Sequence, residues 1–388
     1  MSTNENPHGP SGTITGRSKL LPTPNELIAM LSKRVIGQCE AKRVLSVAVY
    51  QHFLNCAGSE ISGTRVLAEN HVLLIGATGT GKSLLLETLG ETLKLPTFHI
   101  PCTAITPDGY KGKNLAQHLE EVSEVLVDGG KTKPGIVVWD EMDKLSLSAF
   151  GENESVEHAS VFRRMTQTEF LTYLDGAKRG IDGMDSSRIL NVGIGAFVGL
   201  DIIRSMSAKP PVGFHGVQPS TEPVLEPVKP EHLIRYGLIP EFVGRFSRIA
   251  CLERLDHGSM RRILLEAEDN VLARRRDFFA LHGIHLQFCD DAIDELVFRA
   301  ISHGTGARAL RYEVDKVLRP VEHSLPDMAL RGVEALVISR DAVLGLAPLI
   351  ERPGKRKDLS KLLQIRRHAV SCREHKTKTA ESDDLGIL

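Results

Sequence analysis

Apolar positions along the chain switch between two periodicities, and each switch marks an element. Residues 1–22 hold few apolar side chains and are rich in Ser, Thr, Asn, Gly and Pro, which predicts a flexible arm. From Pro24 the spacing turns helical, with Asn25 the expected cap of a helix through about Lys33. A second helix is expected from Cys39 to about Phe53, with Val44, Leu45, Ala48 and Val49 on one face. Short, continuously apolar runs then alternate with helical stretches. Strands are predicted over 71–75, 97–101, 135–140 and 188–193, and helices over 82–93, 114–126 and 161–174. Runs that are apolar throughout belong to strands covered on both faces, so this part reads as an α/β fold, a parallel sheet flanked by helices.

Two stretches break the pattern. Residues 145–160 are polar and acidic and read as an insertion or loop, and 210–230 holds six prolines, too many for regular core structure. Composition shifts near Asp256. Beyond it helices are expected over 258–279, 291–302 and 306–325, with strands at 284–288 and 335–339, which makes a second, mainly helical lid domain. The expected organisation is an arm at 1–22, a large domain at 23–255, a small one at 256–350 and a tail at 351–388 with the basic run Arg352 to Lys357.

A length of 388 residues suits two or three domains better than one core. The charges nearly cancel, 48 Lys plus Arg against 49 Asp plus Glu, which argues against a protein that coats nucleic acid. Only the basic tail points the other way. The six cysteines form no C-x-x-C pair, so neither a zinc ribbon nor a disulfide scaffold is indicated. With no apolar leader and no membrane-length apolar run, a reducing, cytoplasmic setting without a membrane partner is expected.

The chemistry gathers at two strand ends. Gly76-Ala-Thr78-Gly79-Thr80-Gly81-Lys82-Ser83 fits G-x-x-x-x-G-K-[ST], directly after one strand and before the helix that continues with Leu84. Glycines let such a loop curl so that its backbone N–H groups face a polyphosphate, and the helix N-terminus adds partial positive charge. Lys82 suits the β- and γ-phosphates of ATP and Ser83 suits Mg²⁺; the alternative is a ligand-free glycine turn. Downstream, the run Ile136-Val-Val-Trp139 ends in Asp140 and Glu141. Asp140 suits the metal and Glu141 the activation of an attacking water, a pairing that marks hydrolysis rather than transfer to a protein hydroxyl.

Further motifs are Val35-Ile36-Gly-Gln38, Gly195-Ala-Phe-Val-Gly-Leu200, Gly237-Leu-Ile-Pro-Glu-Phe-Val-Gly-Arg245 and Gly304-Thr-Gly-Ala-Arg308. With them, residues 22–350 or so resemble the AAA+ ATPases, and within these the ClpX-type protein unfoldases. The resemblance implies that Val35 and Ile36 frame an adenine pocket. It implies that Arg245 is an arginine finger reaching a neighbouring subunit, hence a homo-hexamer, and that Arg308 senses the nucleotide of its own subunit. Gly109-Tyr110-Lys111-Gly112 falls where this family carries its substrate-gripping pore loop; Lys111 departs from the family's valine and would favour acidic or mixed unfolded or tagged protein substrates. Val212-Gly213-Phe214 resembles the loop that docks on a ClpP-type peptidase.

Other departures are expected too. The family's N-terminal zinc-binding recruitment domain has no counterpart here, and only Lys178-Arg179 stands near the place of its basic pore-entrance loop. The second pore-loop region, Ala159 to Met165, is more basic and more apolar than usual, and Asn191 gives no secure sensor match. The expected activity is therefore an ATP-dependent unfoldase and translocase. The alternatives are a remodelling chaperone without a peptidase, and a nucleic-acid motor, against which the Gly-Tyr-x-Gly loop and the lack of a basic groove speak.

Overall fold

The computed structural model describes residues 21–62, 71–147, 156–175, 183–207, 227–347 and 349–353. Residues 1–20 of the expected arm, most of the proline-rich stretch, the Lys178-Arg179 and Val212-Gly213-Phe214 segments and the tail beyond Pro353 lie outside the described residues. In chain order the elements are α1 (Pro24–Arg34), α2 (Cys39–Ser62), β1 (Val72–Ile75), α3 (Lys82–Leu93), β2 (Thr97–Pro101), α4 (Leu115–Leu126), β3 (Val127–Asp128), β4 (Lys131–Thr132), β5 (Gly135–Asp140), α5 (Val156–Leu174), β6 (Ile189–Gly195) and α6 (Leu200–Ser207). There follow α7 (Pro230–Tyr236), α8 (Pro240–Val243), β7 (Arg248–Cys251), α9 (His257–Leu265), α10 (Val271–Ala280), β8 (His285–Phe288), α11 (Asp290–Ser302), α12 (Ala307–Leu330), β9 (Val333–Ile338), α13 (Arg340–Leu344) and β10 (Ile350–Pro353).

Five parallel strands in the order β2-β5-β6-β1-β7 make the main sheet. It is sandwiched, as its apolar runs require. Leu74 and Val138 face a core with Leu31, Leu45 and Leu86 from α1, α2 and α3, while Leu73 and Trp139 face a core with Val122, Phe170 and Phe242 from α4, α5 and α8. A separate apolar cluster joins α9 to α13 with a three-stranded sheet, β10-β9-β8. The fold is thus α/β, a parallel sheet flanked by helices, followed by a smaller, mainly helical lid. Strand order matters for function: β6 lies between β1 and β5, so the phosphate loop after β1 and the acids after β5 flank a crevice at the carboxyl edge.

Several sequence expectations shift for identifiable reasons. Thr23, not Asn25, caps α1: its hydroxyl accepts from Glu26 N–H while the Glu26 carboxylate accepts from Thr23 N–H, a capping box with Pro24 at the first helical position. Helix α2 runs past Phe53 to Ser62, because His52 and then Cys56 continue its buried face; the His52 ring bonds the Arg188 carbonyl at 3.2 Å, and burial pulls its pKa down to about 4. A polar residue in a core position hides the period. The helix expected over 258–279 is two, α9 and α10, parted at 266–270, where Asp269 takes a positive φ of 58° and Glu268 N–H donates to the Lys33 carbonyl at the end of α1. Strand β7 was not foreseen in so short a run, nor was β10, which falls where the tail was expected and pairs antiparallel with β9. Helix α5 starts at Val156, so part of the expected 145–160 loop is helical.

The core beside the crevice is pinned by one polar side chain. Asn191 on β6 accepts from Trp139 Nε1 at 3.0 Å and from the Tyr173 hydroxyl at 3.2 Å, all three buried. Trp139 also meets Phe170 and Tyr173 edge-on. Asn191→Leu would strand two buried donors at about 1–3 kcal/mol each. A clear drop in the thermal midpoint is expected in calorimetry, and an unchanged midpoint would show that these bonds carry no net stability.

Candidate active site: the phosphate loop, the acids and the lid

The phosphate loop is shaped by backbone approaches that leave no room for side chains. A Cβ on Gly76 would come within 2.8 Å of Leu252 Cβ, and Gly81 takes a left-handed φ of 100° directly before α3. The Thr80 hydroxyl closes the loop on the Ala77 carbonyl at 2.9 Å. Lys82 Nζ donates to the carbonyls of Gly76 and Ala77, at 2.5 and 3.0 Å. Burial pulls the pKa of this ammonium down, the Asp140 and Asp143 carboxylates pull it back up, and the Arg308 guanidinium pushes it down again. One site therefore holds Lys82, Asp140, Asp143 and Arg308 within electrostatic reach, a charge set suited to a polyphosphate with a divalent cation. Ser83, half-buried, and Leu84, exposed, open α3, while Thr78 stays exposed on the loop.

The acids come from the carboxyl end of β5. Asp140 is half-buried there and its Oδ1 accepts the Glu141 N–H at 2.7 Å. Glu141 adopts a left-handed conformation, φ 57°, which turns its exposed side chain away from the strand direction. Its Oε2 accepts from the Thr103 hydroxyl at 2.7 Å, and Thr103 follows β2, the strand paired with β5. Asp143 is buried and accepts the Ala196 N–H beyond β6 at 3.1 Å, tying the acid turn to the neighbouring strand end. Beneath them lies the Cys102 thiol, fully buried, with burial and these three carboxylates all pushing its pKa well above the usual value.

The lid reaches this site through its backbone. The Ala307 N–H donates to the Gly79 carbonyl at 3.0 Å, and a Cβ on Gly79 would land 2.0 Å from the Thr305 carbonyl oxygen. Arg308 stands one residue further, in the first turn of α12. Gln38 performs a related task from the opposite side. Buried and held at φ 55°, its amide donates to the carbonyls of Thr80 at 3.3 Å and Glu253 at 3.0 Å and accepts the Glu253 N–H at 2.8 Å. Val35 and Ile36 are buried just before it, with Val35 Cγ1 3.9 Å from the position a Cβ on Gly81 would take.

Other predicted residues lie elsewhere. Tyr110, 57% exposed, tops a loop between Gly109 and Gly112, both at positive φ; the base is closed by Thr106 N–H to the Lys113 carbonyl and by Asn114 Nδ2 to Asp108 Oδ1 at 2.5 Å. Lys111 is exposed beside it. The Tyr110 ring meets Phe162 of α5 edge-on, centroids 5.4 Å apart, and the Asp108 N–H bonds the Glu169 carboxylate of the same helix. Arg245 is exposed after α8, in a two-point ion pair with Asp175 at 2.5 and 3.0 Å. Asn191 turns into the core and not toward the phosphate loop. Sequence reasoning missed Thr103, Asp143 and Asp175, the contact of Phe162 and the clamp made by Gln38; Gln38 and Phe162 stood in quoted stretches, and the others reach the sites from separate elements.

Residues 72–196 match the family described as "ATPase family associated with various cellular activities (AAA)". That stretch runs from β1 through the strand end carrying Asp140 to the end of β6. Among curated relatives, the "ATP-dependent Clp protease ATP-binding subunit ClpX 3" of Methylococcus capsulatus is 34% identical over 85% of this chain and 82% of its own length. The "ATP-dependent Clp protease ATP-binding subunit ClpX" of Treponema denticola is 32% identical over 84% of this chain and 82% of its own. The chain belongs to the ClpX family of AAA ATPases, and its enzymatic activity is ATP hydrolysis.

Glu141→Gln keeps the size of the side chain and removes its basicity. It should still bind nucleotide but lose turnover by a factor of about 10² or more. Thr103→Val should lower kcat by about tenfold with the ATP KM little changed, because the threonine acts through its bond to the Glu141 carboxylate, the candidate base. Steady-state ATPase assays check both, and wild-type turnover in the Gln variant would remove Glu141 from the chemistry.

Proposed function

We propose that this ATPase is a protein unfoldase and translocase, working as a homo-hexameric ring that grips unfolded or tagged polypeptides by the Tyr110 loops and threads them through a central pore. The observation that carries this reading is the loop itself. A tyrosine more than half exposed, flanked by two positive-φ glycines and stapled at its base, can pack against any passing side chain without reading sequence. Lys111 beside it adds a preference for acidic over basic stretches.

In the proposed cycle residues 23–255 bind ATP and residues 256–350 act as the lid. Val35 and Ile36 border the adenine, and the N–H groups of residues 76–81 with Lys82 hold the phosphates. The hydroxyl of Ser83 and the carboxylate of Asp140 fit a Mg²⁺ ion, since both stand beside the phosphate-binding lysine and offer hard oxygen donors. Bound there, Mg²⁺ would neutralise charge on the transferring phosphoryl group. Glu141, held by Thr103, takes the proton of the attacking water. Arg245 stabilises the transition state in the neighbouring subunit once it leaves Asp175, and Arg308 signals the nucleotide state to the lid.

The relatives' names make them subunits of an ATP-dependent protease. For this chain we read Val212, Gly213 and Phe214 as the matching contact to a ClpP-type peptidase. A cytoplasmic location goes with that reading, and among the described residues no helix is long and apolar enough to cross a membrane.

Tyr110→Ala should abolish ATP-driven unfolding of a tagged fluorescent domain, with the fluorescence lost per ATP hydrolysed falling by about tenfold or more. Persistent unfolding would refute the pore reading. Assays with and without a ClpP-type peptidase, using Phe214→Ala as the probe of contact, separate an unfoldase that feeds a protease from one that acts alone.

A further inference from the structure

The lid holds a buried acid that the proposed cycle does not use. Glu313 lies on α12, five residues after Arg308, with its side chain 2% exposed, and its helix neighbours Ala309, Leu310 and Val314 all belong to the lid's apolar core. A carboxylate in such a place is costly unless it is bonded. Its Oε1 lies 2.7 Å from Nε2 of His303, while Oε2 is buried and meets no partner among the described residues. His303 is half-exposed at the end of α11, its ring edge-on to Tyr312 at 5.4 Å. The pair bridges ten residues, from the end of α11 to the second turn of α12.

What lies between them is the turn that touches the phosphate loop. Gly304 and Gly306 both take positive φ, 67° and 61°, and Gly306 approaches the Gly79 carbonyl so closely that a Cβ would sit 2.7 Å away. A turn with two glycines has little stiffness of its own. Yet this turn brings the Ala307 N–H to the Gly79 carbonyl and starts α12 with Arg308, whose charge is felt at Lys82. The bond between His303 and Glu313 fastens both ends of the turn, and its anchor is buried in the lid core, so the turn is held to the lid as one rigid piece.

We propose that Glu313 and His303 are positioning residues for nucleotide sensing: their bond holds the Gly304 to Arg308 turn against the phosphate loop and so sets the affinity for ATP. This rests on reading Arg308 as a nucleotide contact.

The test is steady-state ATPase kinetics and thermal midpoints of the full chain carrying Glu313→Leu, Glu313→Gln, His303→Phe or Arg308→Ala. Leucine fits the apolar surroundings, so Glu313→Leu should keep or raise the midpoint while the ATP KM rises about fivefold or more. Glu313→Gln, which can still bond His303, should stay within about twofold of the parent KM. His303→Phe breaks the same bond at a half-exposed position and should match Glu313→Leu, including when the two are combined, because partners in one interaction are not additive. Should Glu313→Leu fail to fold, His303→Phe decides alone. An unchanged KM in the variants that break the bond, with a lowered midpoint, would mean that the pair only stabilises the lid and overturns the proposal. An unchanged KM in Arg308→Ala overturns the sensing role of Arg308 itself, and this proposal with it.

Discussion

Two stretches of backbone, the phosphate loop and the lid turn, lie so close that neither Gly79 nor Gly306 has room for a side chain. The contact is one hydrogen bond, Ala307 N–H to Gly79 carbonyl, and a set of approaches that a Cβ on either glycine would destroy. The contact joins the phosphate loop to the lid through main chain alone, with no flexible side chain between them. Packed interfaces of this kind shift between discrete arrangements rather than deform smoothly. Gln38 closes the same frame from the other side by bonding both the phosphate loop and Glu253, three residues before the lid begins to fold. Loop, lid and the strand between them are therefore one mechanical unit, and the ATPase chemistry is performed inside it.

Helix α5 extends this unit outward. Along its length Phe162 and Glu169 hold the Tyr110 loop, by a ring contact and by a bond to the Asp108 N–H. Directly after its C-terminal end, Asp175 holds Arg245. Its last turns pack Phe170 and Tyr173 against Trp139, the residue before Asp140. A single helix thus touches the loop proposed to grip substrate, the arginine proposed to reach a neighbour and the strand that carries the acids. Three functions that a sequence motif treats as separate share one rigid support.

Much of this was legible in the sequence. The phosphate loop, the strand ending in Asp140 and Glu141, and helices α3 and α4 follow from apolar period and glycine placement, because their burial is uniform. What the sequence hid came from two physical causes. Polar residues at buried positions break the apolar period: His52 concealed the second half of α2, and the pinning role of Asn191 shows only once Trp139 and Tyr173 are seen to share its carboxamide. Contacts between distant segments leave no local trace, so Thr103 beside Glu141 and Glu268 against Lys33 could not be read. The division of 258–279 into two helices belongs here, since the break is stabilised by α1, more than two hundred residues earlier in the chain.

Four of the buried polar groups share one kind of placement. Gln38 pins Thr80 and Glu253, Asp143 pins Ala196, Asn191 fixes Trp139, and Glu313 holds His303. In each case the group bonds a residue at or next to the nucleotide site or its lid contact. An apolar residue put in place of both partners would bury as much surface and avoid the desolvation cost, so burial alone does not call for these groups. Apolar packing, however, is non-directional and tolerates sliding, whereas a hydrogen bond fixes distance and angle. A site that must align a base, a lysine and a lid turn to within fractions of an ångström needs the second kind of constraint. The placement of these residues accordingly follows the demands of geometry at the site and not those of the core.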